Sequence, residues 1–589
     1  MRFQTLTFPS SDFSAPKEMY FRSTQGCGFS VSDKSIFIKE GNTVQFDTFF
    51  NSISVGTWKK YCIVENLSLI LKGKGMALVK FGLHTYGKPH RYLADTRVEL
   101  TEEGISIPMD FWPSLQDGLL YAEVFAITDT EITGGCFWTN TIPANDVRLG
   151  IVITHFNRKQ YVLPAVERLT KDLLDDSNYS KIRLVIVDNS QNITEEEIGG
   201  RAVLIPNRNL GGSGGFTRGL LYLKDNGYTH CCFMDDDASC EIESLRRTYT
   251  FYSLLRSAEP IGLSGILLLE DRPSIIHERG GRFYNADCAP VDNGFDTCSA
   301  QSLVFSDLHA EDGNYGAWCL FTFRIADIRH LPFPFFVRGD DILFSIHNRL
   351  KILTMNGVST WIEDFAHKES PMTRYMGFRG ILTASMVIGD LTPRILRRQF
   401  KVWYSYSLKS YNYTSAKAIY QSLQDFLKGP ETFESDMTGA RFRESINKLP
   451  PIEKMQPGIR VETVRREPKQ ERRWHFLLRR YLMNGLLIPS FLMKRQTIYQ
   501  AKNFGADLSR TFKYKSIYYH DRFTDTGYIV KHDKKELLKG YLLMFKGFRQ
   551  IAAGFGAVKE KYEARKDWLT SEPFWREAFR EETGKGNLQ

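Results

Sequence analysis

The chain has 589 residues, 42% hydrophobic and 25% charged, with a formal net charge of +9. That length exceeds one domain, and the composition excludes wholesale disorder. Nine cysteines without regular spacing exclude a disulfide scaffold or paired zinc ligands, and the modest charge gives no reason to expect a nucleic-acid partner.

Residues 1–148 read as β-rich. Polar and apolar residues alternate in Ser35–Lys39, Val44–Phe50, Leu67–Leu71 and Leu120–Ala126, with Gly, Asp and Asn between them. Several short strands with turn signals predict a β-sandwich or jelly roll. The pattern changes at Val147-Arg148. Leu149–Thr154 is a continuous apolar strand, as a buried parallel sheet requires. A helix is expected over Val162–Leu174, strands over Ile182–Asn189, Ala202–Ile205 and His230–Met234, and a helix from near Gly215 to Asp225. Strands alternating with helices predict a doubly wound, Rossmann-like α/β domain over 149–385, whose ligands sit beyond the strand C-terminal ends. Thr154–Asn157, Asp188-Asn189, the Asn207–Gly215 turn and Asp235-Asp236-Asp237 all fall on that edge. Residues 386–589 read as a mainly helical C-terminal domain.

Three adjacent carboxylates, Asp235-Asp236-Asp237, end a hydrophobic strand. Like charges at that density call for a cation, and a divalent metal held by hard oxygens is the obvious candidate. The glycine-rich turn Asn207–Phe216 is of the kind that lets backbone amides approach a phosphate; it lacks the Lys-Ser/Thr ending of a Walker loop. A second acidic pair, Asp340-Asp341, opens a helical stretch running to Leu350. It reads equally as the first turn of that helix and as a rigidly held general base. His367 becomes informative only as a third metal ligand; two Asp and one His favour manganese over magnesium. No Gly-x-Ser-x-Gly, His-Glu-x-x-His or kinase signature occurs.

Together these residues resemble the family 2 inverting nucleotide-sugar glycosyltransferases of GT-A fold, and within them the bacterial galactofuranosyltransferases. Phe49-Phe50-Asn51-Ser52 followed by Trp58-Lys59-Lys60, Thr154–Arg158, Val187-Asp188-Asn189, Asn209–Phe216, the Asp triplet, Tyr315–Trp318, Arg338–Asp341 and His367 carry the resemblance in order over roughly residues 45–385. It implies that Asp235, Asp237 and His367 hold Mn²⁺ or Mg²⁺. It implies that Thr154, Arg158, Asp188, Asn209, Gly211, Gly212 and Asp236 form the donor site for a UDP-sugar, UDP-galactofuranose first. Asp341 becomes the catalytic base, Asp340 binds acceptor hydroxyls, and Trp318 with Tyr315 lines the acceptor site. The family often has two adjacent tryptophans where this chain has Ala317-Trp318, which leaves acceptor and donor sugar open. Transfer of rhamnose or galactopyranose, and a glycan-binding scaffold with an inactive transferase domain, are the alternatives.

Arg460–Lys515 holds 14 Lys/Arg and 4 Asp/Glu, interrupted by Trp474, Phe476–Leu478 and Tyr481–Met483. No apolar run is long enough to span a bilayer, and Met1–Thr5 lacks the apolar run of a signal peptide. The chain is therefore expected to be cytoplasmic, peripheral at the anionic inner face of the plasma membrane, with a lipid-linked or glycan acceptor; homo-oligomerisation is left open.

Overall fold

The computed structural model describes residues 1–467, 471–502 and 507–583. Its N-terminal region is antiparallel sheet organised by one 17-residue strand, Ser68–His84. The first half of this strand pairs with Thr130–Trp138 and Ile105–Pro108, the second half with Leu119–Ala126 and Arg91–Leu100. The change of partners comes at Gly73 and Gly75. A Cβ on Gly75 (φ +102°) would lie 2.5 Å from the Asp129 carbonyl oxygen, so a side chain there would block the approach of the partner backbone.

The alternation over Val44–Phe50 is only partly strand: Thr43–Gln45 is extended and Phe46–Ser52 is buried irregular chain. Asn51 satisfies that chain's polar groups. Its Oδ1 accepts the Thr7 N–H at 2.7 Å, and its Nδ2 donates to the carbonyls of Thr7 (2.8 Å) and Tyr20 (2.7 Å). Around it, the β-rich region and the next sheet share one hydrophobic core. Trp58 packs 5.9 Å from Phe251, and fully buried Arg247 donates to the carbonyls of Phe50 and Asn356, each at 2.8 Å. Residue 148 therefore marks a change of sheet within a continuous core.

The central sheet runs Val203–Pro206, Ile182–Asp188, Leu149–His155, His230–Asp235, Leu320–Arg324, Ile261–Ser264, Lys351–Leu353. The first four strands are mutually parallel, and Leu320–Arg324 is antiparallel to both neighbours. Register sets the site: His155 lies opposite Asp188, and Thr154 opposite Asp235. The carboxylates thus emerge side by side at one sheet edge, as the apolar runs ending in acids predict.

The glycine-rich stretch corrects an expectation. Gly211–Asp225 is helix from its first glycine, and only residues before it form a turn. The glycines serve close packing. A Cβ at Gly211 (φ +70°) would sit 2.0 Å from the Phe336 carbonyl oxygen, one at Gly215 would sit 2.2 Å from Thr154 Cγ2, and one at Gly219 2.3 Å from Val152 Cγ1. The helix start is thereby drawn down onto the strand ends.

The C-terminal region is mainly helical, but it also carries a sheet that the sequence reading did not foresee. Its long helices, Pro393–Lys409, Tyr413–Lys428 and the 36-residue Lys534–Leu569, surround a five-stranded sheet ordered Gln456–Pro457, Thr526–Lys531, Tyr514–Asp521, Lys494–Ala501, Thr463–Val464. Lys494–Ala501 and Tyr514–Asp521 carry the β-branched and aromatic residues of strands, but their flanking Lys and Arg hide the period of two. Parts of the basic segment, residues 468–470 and 503–506, lie outside the described residues.

Candidate active site

The Asp triplet faces outward from the end of His230–Asp235. Asp235, half-buried, accepts from Cys319 Sγ at 3.2 Å. Burial and the nearby Asp237 push its carboxyl up to about 7. Asp236 behaves oppositely. Burial alone would raise it, but contact with His155 (Nδ1 at 3.6 Å), the Phe156 N–H (3.1 Å) and Arg158 (2.8 Å) hold it below the usual carboxylate range. Asp237 pairs with Arg158 Nη1 and Lys368 Nζ, each at 2.7 Å. Arg158 thus bridges two acids, and Lys368 reaches Glu363 at 3.3 Å as well. Part of the compensation expected from a metal comes from these two cations, and Lys368 was not foreseen.

The second acid pair lies across the site at the start of helix Asp340–His347. Buried Asp340 accepts from Ser213 Oγ, on the glycine-rich helix, at 3.1 Å. Half-buried Asp341 accepts its neighbour Ile342's N–H at 2.8 Å, a first-turn contact. Burial and then Asp340 push Asp341 well above the ordinary carboxylate range. Phe336 (φ +75°), Arg338 (φ +72°) and Gly339 (φ +92°) lead into the pair, and two non-glycine residues with left-handed backbone, one residue apart, are the kind of strain found at functional sites. The helix-start and carboxylate-presentation readings hold together.

Glu278 was missed. It is buried, accepts from Tyr315 Oη at 3.0 Å, and burial pushes it up to about 7. Its charge acts on Asp341. The signal available was a charged His277-Glu278-Arg279 run at the end of a strand, too common to single out. Tyr315 is correspondingly committed to Glu278 and 5% exposed.

Three of the expected site residues have their polar atoms or rings engaged within the fold. Asp188 does not offer a free carboxylate to a nucleotide. It is 1% exposed, and its oxygens accept five donors from residues 190–193: the Ser190 N–H and hydroxyl, and the N–H groups of Gln191, Asn192 and Ile193, at 2.8–2.9 Å. These bonds outweigh burial and lower its pKa. Asn209 likewise accepts the Gly211 N–H at 3.0 Å and shapes the turn. Trp318 is 5% exposed and packs in the core 4.9 Å from Phe233, 5.3 Å from Phe216 and 5.5 Å from Phe344. Ala317 and Cys319 take the other side, in a cluster with Ala238 beside the acid triplet. The small residue, not the large one, faces the Asp235 side.

Asp188→Asn should therefore destabilise the fold by about 1–3 kcal/mol, because buried N–H donors lose their acceptor, measured as a lower denaturation midpoint. Since the folded pKa is depressed, the carboxylate's contribution is complete above the unfolded pKa and disappears as pH falls through the folded value. The wild type should lose that increment in acid while Asp188→Asn does not; equal acid sensitivity would contradict the loop-organising role.

His367 lies 2.8 Å (Nδ1) from buried Asp521, a C-terminal-sheet residue, and Lys502 Nζ donates to its carbonyl at 2.7 Å. Among the described residues Asp235, Asp237 and His367 do not gather into a ligand-sized cluster, so the structure does not join His367 to the two acids. The donor chemistry still fits a hard divalent ion: two neighbouring carboxylates, of which Asp237 raises the proton affinity of Asp235, and an imidazole whose Nδ1 lies beside a carboxylate, leaving the other ring nitrogen for a metal. Thr154, with its hydroxyl buried and unpartnered, and Gly211 and Gly212 line the sheet edge between the two acid groups. A cleft of about 540 Å³ bordered by Phe13, Tyr161, Asp236, Asp237, Ser239 and Glu270 opens beside the triplet.

The same part of the chain is similar to known proteins. Residues 150–255 match the model described as Glycosyl transferase family 2. The chain is 22% identical to galactofuranosyltransferase GlfT2 of Mycobacterium tuberculosis, over 92% of this chain and 91% of that protein. It is 22% identical to the GlfT2 of Mycolicibacterium smegmatis, over 69% and 67%. Among solved structures, the mannosyltransferase PcManGT of Pyrobaculum calidifontis, in complex with GDP-Man and Mn²⁺, is 13% identical with a TM-score of 0.28, covering 52% of this chain and 86% of that one. Residues 150–255 form a family 2 glycosyltransferase domain, and the chain as a whole resembles the bacterial galactofuranosyltransferases.

Proposed function

We propose that the protein is a metal-dependent inverting glycosyltransferase of GT-A type that moves galactofuranose from UDP-galactofuranose to a hydroxyl of a growing cell-surface glycan. The observation that carries this reading is the opposition of two acid groups of unlike character across one sheet edge. In the triplet Asp236 and Asp237 are paired with cations, whereas in the Asp340–Asp341 pair burial raises both carboxyls. The mycobacterial relatives, whose printed activity is galactofuranosyl transfer, support the choice of sugar.

Asp235, Asp237 and His367 would hold Mn²⁺ or Mg²⁺, which when bound stabilises charge on the leaving diphosphate as a Lewis acid. Arg158 and Lys368 stand at the triplet to draw the same charge. Asp236, kept ionised by His155, the Phe156 N–H and Arg158, orients the nucleotide. On the opposite face Asp341 removes the acceptor hydroxyl's proton. Burial and Asp340 raise its proton affinity and so its strength as a base. Asp340, fixed by Ser213, holds the acceptor. One displacement inverts the anomeric centre, and no enzyme nucleophile is required. Ala317 on the site side leaves room for a different acceptor, or for rhamnose or galactopyranose. A panel of UDP- and dTDP-sugars with mass-spectrometric product detection tests the donor. UDP-galactofuranose should be the preferred one, and exclusive use of another sugar would overturn that assignment.

The basic segment suits an anionic membrane face. No helix among the described residues is long and apolar enough to cross a membrane. Helix Arg473–Tyr481 instead exposes Trp474, Phe476, Leu477 and Tyr481 beside Arg472, Arg473 and Arg480, and Phe491 and Leu492, further along the basic segment, are exposed as well. Arg479 does not belong to that face, being paired with Glu471 at 2.7 Å. Each surface cation contributes about 1 kcal/mol near an anionic leaflet. Sedimentation with phosphatidylglycerol vesicles should rise with anionic lipid and fall with salt. The triple substitution of Arg472, Arg473 and Arg480 by Glu should abolish it while transfer to a short soluble acceptor persists. Absence of vesicle binding at low salt would exclude this role.

A further inference from the structure

A second cluster of metal-ligating side chains lies away from the proposed active site, where the C-terminal helices join the central sheet. We propose that His330, His347 and Asp567 form a binding site for a divalent transition-metal ion that favours imidazole ligands, with Zn²⁺ as the representative. One ligand atom from each residue lies within 4.8 Å of the others. They come from three separate elements. His330 sits in the loop after Leu320–Arg324, His347 in the last turn of helix Asp340–His347, and Asp567 near the end of the long helix Lys534–Leu569.

The frame that brings them together is firm. The Leu331 N–H donates to the Thr570 carbonyl at 2.8 Å, and Trp575 Nε1 donates to the Pro332 carbonyl at 2.7 Å. The Asn348 side chain accepts the His330 N–H at 2.9 Å. Among described residues, the polar contact to the rings is His330 Nδ1 with Thr570 Oγ1 at 3.3 Å. His347 Nδ1 is buried with no hydrogen-bond partner, an unusual state for an imidazole nitrogen and one that a ligated ion relieves. The surrounding charges are Arg329 and Lys566, and Lys566 is engaged by Glu563 at 2.6 Å. Burial, then the two rings' mutual repulsion, pushes His347 down to about 4, and burial lowers His330. Both imidazoles are therefore neutral at pH 7, the form that binds metal.

Two imidazoles and one carboxylate are a borderline set that leaves a fourth position for water, suited to Zn²⁺ rather than to the hard ion expected at the aspartates. The rings stack at 3.6 Å and 10°. Their in-plane lone pairs then run side by side, so ion binding must turn at least one ring out of the stack. The ion would clamp the end of the long helix to the helix whose first turn carries Asp340 and Asp341. This inference does not depend on the proposed sugar transfer.

The test uses the full chain carrying Asp235→Asn and Asp237→Asn, so that the aspartate site is silent. After chelator treatment and dialysis, Zn²⁺ is titrated by calorimetry and by thermal unfolding. One equivalent should bind and raise the melting temperature. Exposed Asp567→Asn, which should fold normally by circular dichroism, should weaken binding by about tenfold or more, as loss of a metal-supporting group does; His347→Ala should abolish it together with the thermal shift. Co²⁺ should give visible d–d bands in the parent and not in His347→Ala. No saturable Zn²⁺ binding, or binding unchanged by Asp567→Asn and His347→Ala, would overturn the proposal.

Discussion

Asp341→Asn should leave UDP-sugar binding nearly unchanged and lower turnover by about a hundredfold or more, the scale of a lost general base. The substitution keeps the size of the side chain and its carbonyl acceptor for the Ile342 N–H, a contact of 2.8 Å in the wild type. What it removes is a carboxylate that burial and Asp340 have made an unusually good proton acceptor. The effect should fall on kcat and kcat/KM together, because proton removal belongs to the transition state. Because the same group sits in the first turn of its helix, a purely structural role predicts a different pattern: lower stability with normal turnover per folded molecule. Steady-state kinetics alongside a denaturation curve separates the two, and normal turnover would leave only the helix-start role.

Asp237→Ala should abolish most transfer. In the structure Asp237 meets Arg158 and Lys368, each at 2.7 Å, and it is the carboxylate whose charge most raises Asp235 after burial itself. Removing it leaves one carboxylate where two are proposed to hold the ion, and one alone binds a hard divalent cation poorly. EDTA should reproduce the loss in the wild type, and added Mn²⁺ should reverse it there but not in Asp237→Ala. Manganese binding by electron paramagnetic resonance should weaken in parallel, and His367→Ala should share the defect. Full activity of the wild type in EDTA would remove the metal from the account.

The central sheet was legible because fully buried parallel strands must be nearly continuous apolar runs, and Leu149–His155, Ile182–Asp188 and His230–Asp235 are such runs ending in polar residues. The same logic located the Asp triplet. It did not tell which way a side chain points. Trp318 looked like a sugar platform and proved to be core, because a neighbouring-residue pattern outside a regular strand carries no face assignment. Asp188 looked like a nucleotide ligand and proved to hold its own loop, since an Asx-type cap and a binding carboxylate share one sequence signature. The Gly211–Gly215 glycines were read as a flexible turn; their tertiary contacts with Phe336 and Thr154 explain why they are helical instead. The C-terminal sheet was hidden by charge on its edges. Lys368, Glu278 and Asp521 entered the site from strands and loops 43 to 286 residues away from Asp235, separations that local pattern cannot bridge.

The most direct measurement is proton NMR of the protein incubated with UDP-galactofuranose, Mn²⁺ and a short galactofuranoside acceptor. The account predicts that donor is consumed, UDP is released, and the new glycosidic linkage has the anomeric configuration opposite to that of the donor. Transfer with retained configuration, or no consumption of UDP-galactofuranose while another sugar nucleotide is used, would contradict it.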